Sequence, residues 1–231
     1  LLNIEEGEHG VITTDCTIFP LGASIGSTWN VDLIRDIYEA VAQEGRALGI
    51  HMICIVGMEP NRDPRLGRNE HAWSEDPYLC SVISEIVVRA VQGDDISSPD
   101  KAIPLLSHFP GQTQPESGFE RGAMEISERT LREVFLPSWV SAITKAGGLA
   151  VMATYPAIDG IPAHGSKELL TDLLCNELKF QGIVTSEGQG LASLIDERIV
   201  ENQKQAGELA MKAGVDIDIW FEDGYLGPMI E

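Results

Sequence analysis

The sequence predicts an α/β fold built on a parallel sheet, and three observations carry that expectation. Short apolar runs rich in β-branched residues alternate with longer stretches whose apolar residues recur at helical spacing. The short runs are apolar almost throughout, as befits strands buried on both faces by covering helices. No linker rich in Pro, Gly or Ser interrupts the 231 residues, so one domain over 1–231 is expected.

The elements follow in order. Asn30 is a good N-cap, and 31–49 places Ile34, Ile37, Tyr38, Val41 and Leu48 on one helical face. A strand is expected over 50–57, then a helix over 79–91 with Leu79, Val82, Ile83, Ile86, Val87 and Ala90 in register, then a strand over 102–107. Ser127 opens a helix over 128–147, followed by a strand at 149–154, a helix at 168–179, a strand at 182–186, a helix over 195–213 and a strand at 215–220. The passages 58–77, 93–101 and 110–122 read as loops. Two architectures satisfy this order: a closed (β/α)8 barrel and an open doubly wound sheet. Both put their chemistry at the carboxyl ends of the strands.

Composition bounds the partners. With 36 acidic against 16 basic residues the net charge is −20, which argues against nucleic acid, whose binding needs a basic surface. No run of 18 apolar residues points to a membrane span, and no signal-peptide pattern is present; the Leu1-Leu2 start reads as a processed or truncated end. Localisation is left open. Cys16, Cys54, Cys80 and Cys175 form no C-x-x-C pair and read as free thiols. No clustered His/Cys ligand set, P-loop or G-x-S-x-G elbow appears, so neither a metal nor a cofactor is expected.

The strand ends carry polar groups of several kinds. A long loop with three arginines and several acids follows 50–57, His108 tips the strand at 102–107, Tyr155 follows 149–154, and Glu187 follows 182–186. Carboxylates and arginine form paired hydrogen bonds with neighbouring sugar hydroxyls, and an aromatic face covers the apolar side of a pyranose. An uncharged, hydroxyl-rich ligand fits. The bland alternative is that these side chains cap helices and bridge loops. A further alternative is dinucleotide binding, because 188-GQGLAS-193 approximates G-x-G-x-x-G, with Asp216 or Asp218 as the ribose acid. Glu187 beside a pyrophosphate and acids nearer thirty than twenty residues on fit that poorly.

The blocks 8-EHG-10, 17-TIFP-20, 27-STWN-30, 63-DPRLGRNEHAWSEDPYL-79, 108-HFPG-111, 127-SERTLREVFLP-137, 159-DGIPAHGSKELLTDLL-174 and 213-AGVDID-218 run nearly end to end. In them the chain resembles glycoside hydrolase family 3, which contains β-glucosidases, β-xylosidases and β-N-acetylhexosaminidases. The resemblance implies a (β/α)8 TIM-barrel-like domain, incomplete at its N-terminus and lacking the family's second domain. It further implies a retaining β-glycosidase that removes terminal non-reducing β-D-glucosyl or related residues through a carboxylate nucleophile. By that resemblance Glu187 takes the nucleophile's place, while Glu6, Arg68, His108 and Tyr155 match substrate-binding positions. Departures accompany the match. The family's Lys-His pair reads Ser107-His108, the tryptophan after the nucleophile is Gly188, and the nucleophile is Glu rather than Asp. Glu116 and Glu120 are the only acids in 111–122 to stand in for an acid/base, a residue that β-glucosidase-like members take from a second domain. The alternative is a catalytically weakened, sugar-binding relative.

Overall fold

The computed structural model describes residues 2–219. One sheet of six parallel strands runs in chain order: β1 (Ile4–Glu6), β2 (Met52–Val56), β3 (Ile103–Phe109), β4 (Ala150–Ala153), β7 (Ile183–Ser186) and β8 (Ile217–Asp218). Two further strands, β5 (Ala157–Ile158) and β6 (Ile161–Pro162), form a small antiparallel hairpin after β4. Strictly sequential order decides between the two expected architectures, since a doubly wound sheet reverses its order at a switch point and a barrel does not. The sheet is a curled half-barrel.

Its two faces follow from the two-residue period of a strand. Ile53, Ile55, Leu106, Val151, Ala153 and Val184 point to the helices and join the main core. Met52, Cys54, Leu105, Ala150 and Met152 point to the opposite, interior face and form a smaller cluster, flanked by the partly buried Ile4, Val56, Ile103, Ile183 and Ile217. The helices cover the outer face because their apolar stripes match it. Helix α2 (Val31–Ala47) buries Ile34, Ile37, Tyr38 and Val41, and the Asn30 side chain accepts from the Leu33 N–H at its start. Leu48, expected on that face, is 53% exposed, because the helix ends at Ala47 and the chain turns away.

Helix α3 (Pro77–Gln92) starts two residues earlier than expected: Asp76 accepts from the Tyr78 N–H, and Pro77 suits the first turn, where no N–H is required. Residues 128–145 are helical with Ser127 as cap: α4 (Glu128–Thr130) runs into π-helical turns at Leu131–Phe135 and Ser141–Lys145 that flank α5 (Leu136–Val140), which holds the non-donating Pro137. The stretch Glu168–Glu177 is π-helical as well.

The single helix expected over 195–213 is two pieces, α6 (Ser193–Asp196) and α7 (Gln203–Ala213). Arg198 adopts a left-handed φ of 61°, and Asn202 caps α7 by accepting from the Gln205 N–H. An internal cap thus outweighs a merely continuous apolar pattern. Of the strand expected at 215–220, Ile217–Asp218 is paired, and Trp220 lies outside the described residues. The segments before α2 escape the periodic reading: β1 has three residues, two of them acidic, and α1 (Gly22–Ser27) is a single short helix. Helix α1 lies directly on the loop after β2, because a Cβ on Gly22 would come within 2.1 Å of the His71 carbonyl oxygen and one on Gly26 within 1.9 Å of that of Trp73.

All four cysteines are free, as expected, with Cys54 and Cys80 buried. Among the described residues no helix is long and apolar enough to cross a membrane, and no group of three His, Cys, Asp or Glu side chains could hold a metal ion.

Candidate active site

Parallel strands bring their carboxyl ends to one rim, and the five residues singled out in the sequence all lie there. Glu6 ends β1, Arg68 sits in the loop after β2, His108 is in the last turn of β3, Tyr155 follows β4 and Glu187 follows β7. The structure brings them together. His108 Nε2 lies 3.9 Å from Glu187 Oε1, and the His108 and Tyr155 rings are 5.1 Å apart, tilted by 41°. Arg68 forms a short ion pair with Glu120. Glu6 lies within the electrostatic reach of Arg68, Glu8 and Glu187.

Their charge states follow from burial and neighbours. Burial raises the Glu6 carboxyl above its ordinary value; a hydrogen bond with the Cys54 thiol and the Arg68 charge oppose this, while Glu8 and Glu187 add to it. Burial also lowers the His108 imidazole, with Glu187 pulling the other way. A neutral imidazole facing a carboxylate can hydrogen-bond a ligand hydroxyl as either donor or acceptor. Asp218, at the end of β8, is raised by burial and by Glu187.

Ser107 does not compensate for the family's lysine. Its side chain is buried on the interior face, with Oγ 3.3 Å from Cys54 Sγ and 3.7 Å from Met152 Sδ, and supplies no cation.

Sequence reasoning missed four participants. Arg121, in the loop after β3, donates from Nη2 to the Gly188 carbonyl (2.6 Å) and stacks its guanidinium 4.4 Å from the Tyr155 ring centroid. It ties the loop after β3 to the residue following Glu187. Gly188 has a left-handed φ of 55°, and a Cβ there would lie 3.1 Å from Tyr155 Oη, so a larger residue would crowd that ring. Glu8 accepts at Oε2 from His71 Nδ1 at 2.5 Å, raising the His71 pKa and holding the loop after β2 to β1. Glu59, fully buried, accepts three N–H groups from this region. The proximity of Arg121, Glu8, His71 and Glu59 arises from contacts 34 or more positions apart, which no local pattern in the sequence pairs.

The dinucleotide alternative has no footing. Residues 188–192 form turns leading into the four-residue α6, and the Asp216 carboxylate is occupied by the Val184 N–H at 2.8 Å.

Sequential parallel winding with an acid-, imidazole- and guanidinium-lined rim at the strands' carboxyl ends defines the class, a barrel-type α/β protein with a ligand rim. The chain belongs to glycosyl hydrolase family 3: residues 1–228 match the model of that family's N-terminal domain. A beta-xylosidase of Formosa agariphila is 34% identical over 207 residues, covering 88% of this chain and 29% of that protein. A periplasmic beta-glucosidase of Salmonella typhimurium is 29% identical over 211 residues, covering 91% and 28% respectively. Among solved structures, the beta-glucosidase of Listeria innocua in complex with glucose superposes with a TM-score of 0.91 at 30% identity, over 96% of this chain and 31% of that one. The chain thus spans about 30% of the length of these relatives.

Proposed function

We propose that this chain is the barrel portion, residues 1–231, of a retaining β-glycosidase that removes terminal non-reducing β-D-glucosyl or related β-linked residues. The observation that carries the reading is the Glu187 carboxylate at a strand end, 3.9 Å from His108 and 16% exposed, on the rim shared by Glu6, Arg68 and Tyr155. Glu187 attacks the anomeric carbon, the glycosidic C–O bond breaks, and the leaving oxygen takes a proton from an acid/base. The resulting glycosyl ester is hydrolysed when the same base deprotonates water. Arg68, His108 and Glu6 hold the sugar hydroxyls, and the Tyr155 ring covers a ring face.

The Glu120 carboxylate is paired with Arg68. The acid/base is assigned to a second domain or subunit, as the family resemblance implies. Aryl β-glucoside and β-xyloside turnover by the full polypeptide carrying this chain is the test: loss of turnover in Glu187→Gln supports the reading, and unchanged turnover overturns the nucleophile.

The buried Ser107 favours a second reading, a weakened sugar-binding relative, because no cation stands at that place. Wild type binding glucose without turnover, with activity gained in Glu187→Asp combined with Ser107→Lys, would select it.

A further inference from the structure

Glu59 is a carboxylate only 2% exposed, three residues beyond the end of β2. Its Oε1 accepts from the Gly111 N–H at 2.6 Å and from Trp139 Nε1 at 2.8 Å; its Oε2 accepts from the Gln112 N–H at 3.1 Å. Among the described residues no cation bears on it. Three donors converging on one buried group need an acceptor at both oxygens. Above about pH 7 the ionised carboxylate provides that, whereas an amide would turn an NH2 toward at least one N–H.

The donors define what Glu59 fixes. Gly111 and Gln112 belong to the turn directly after His108 and Phe109, and Trp139 of α5 packs edge-on against Phe109 at 5.1 Å. The Gln112 side chain continues the chain of contacts by donating from Nε2 to Glu120 Oε1 at 3.3 Å, and Glu120 holds Arg68. Thr113 Oγ1 donates to the Pro60 carbonyl at 2.7 Å, closing the same loop onto Glu59's neighbour. His108 on one side and Arg68 on the other thus depend on one buried acid that faces neither of them directly.

We infer that Glu59 is the positioning residue of the sugar pocket: by clamping residues 111–112 and Trp139 it sets His108 and, through Gln112 and Glu120, Arg68. The inference rests on the glycosidase reading. Burial raises the Glu59 carboxyl to about 7, while its three hydrogen bonds favour the charged form.

The test uses the full polypeptide that carries this chain. Glucose and gluconolactone binding are measured by calorimetry, which needs no turnover, alongside KM, kcat and thermal unfolding. Glu59→Gln is expected to weaken ligand binding and raise KM by about ten- to a hundredfold, the range a misplacement of about 1 Å produces, with a smaller change in kcat. Should Glu59→Gln fail to fold, Gln112→Met keeps the three donors on Glu59 and cuts only the link to Glu120; it is expected to weaken binding about threefold or more, at unchanged melting temperature. A purely structural Glu59 gives a lower melting temperature with wild-type binding and KM, and that result, or wild-type binding in Gln112→Met, overturns the inference while leaving the functional reading intact. Wild type that binds neither sugar overturns both.

Discussion

Two stretches of the same rim are built on opposite terms. Around the ends of β2 and β3, charged groups are tied down: Glu59 by three N–H donors, His71 by Glu8, and Arg68 by Glu120. Around the end of β7 the polar groups are packed but sparsely tied. His164 is 1% exposed and its two ring nitrogens have no hydrogen-bond partner among the described residues, as is true of the Thr185 hydroxyl on β7. Gly190 makes this closeness feasible, since a Cβ there would fall 2.5 Å from His164 Nε2 and 2.6 Å from Ser186 Oγ. In the first stretch the charged groups are fixed by hydrogen bonds, although the Asn61 amide is buried without a partner, while in the second close packing dominates and leaves Glu187 with few fixed partners.

The largest expected effect breaks the second stretch chemically. In the full polypeptide, Glu187→Gln is expected to lower kcat on an aryl β-glycoside by about 10^3-fold or more, because a neutral amide cannot form the glycosyl ester. Unchanged single-turnover kinetics would remove Glu187 from the proposed reaction.

The next pair separates the two stretches by the sign of their pH response. Glu59 has a folded pKa of about 7, above its unfolded value of 4.5, so the folded state holds the extra proton and stability falls as pH rises from about 4.5 to 7. His164 is pushed down to about 3 by burial, with His108 and Arg121 adding to the shift. Its contribution is present above 6.5 and lost as pH falls from there toward 3. Each window amounts to a few kcal/mol, on the order of 1.4 kcal/mol per unit. Denaturant unfolding from pH 3 to 8 should therefore show Glu59→Gln flattening the slope between 4.5 and 7, and His164→Phe flattening the acid limb. Parallel curves for both variants and wild type would dissolve the distinction.

Smaller still is the effect expected at the support beneath the first stretch. Gly26→Ala places a methyl 1.9 Å from the Trp73 carbonyl oxygen, and backbone on both sides must move. A loss of about 2–3 kcal/mol in unfolding free energy is expected. Gly49→Ala, at a glycine with open space and a φ of 78°, isolates backbone strain from crowding for comparison and should cost about 1 kcal/mol. Equal losses at the two positions would show that the close approach of α1 is not the constraint.

The smallest effect concerns the strap between the stretches. Arg121→Ala removes the bond to the Gly188 carbonyl and the cover over Tyr155. The side chain is exposed, so stability should change by less than about 1 kcal/mol, while kcat falls about tenfold as the turn after Glu187 loosens. A larger change in melting temperature than in kcat would assign Arg121 to folding alone.

The alternation of apolar strands and amphipathic helices was legible in the sequence because each carries its own period, and the strand-end rule then placed His108, Tyr155 and Glu187 at one rim. The family motifs added Glu6 and Arg68. The break between α6 and α7 was not legible, since Arg198 and Asn202 interrupt a run whose apolar spacing continues past them. Nor were the partners of Glu59, Glu8 and Arg121, which lie 52, 63 and 67 residues away. A side chain's residue type states what it can accept or donate. Which group meets it depends on sheet order and on how close α1 and the loop after β2 can approach, and these are set by packing across the whole chain. By itself, then, the sequence determined the alternation of strands and helices and the residues that follow each strand, while the sequential strand order came from the structure. Only the tertiary structure decided that Ser107 faces inward to Cys54, that Arg121 straps Gly188, and that a buried acid beneath the rim fixes the turn after His108.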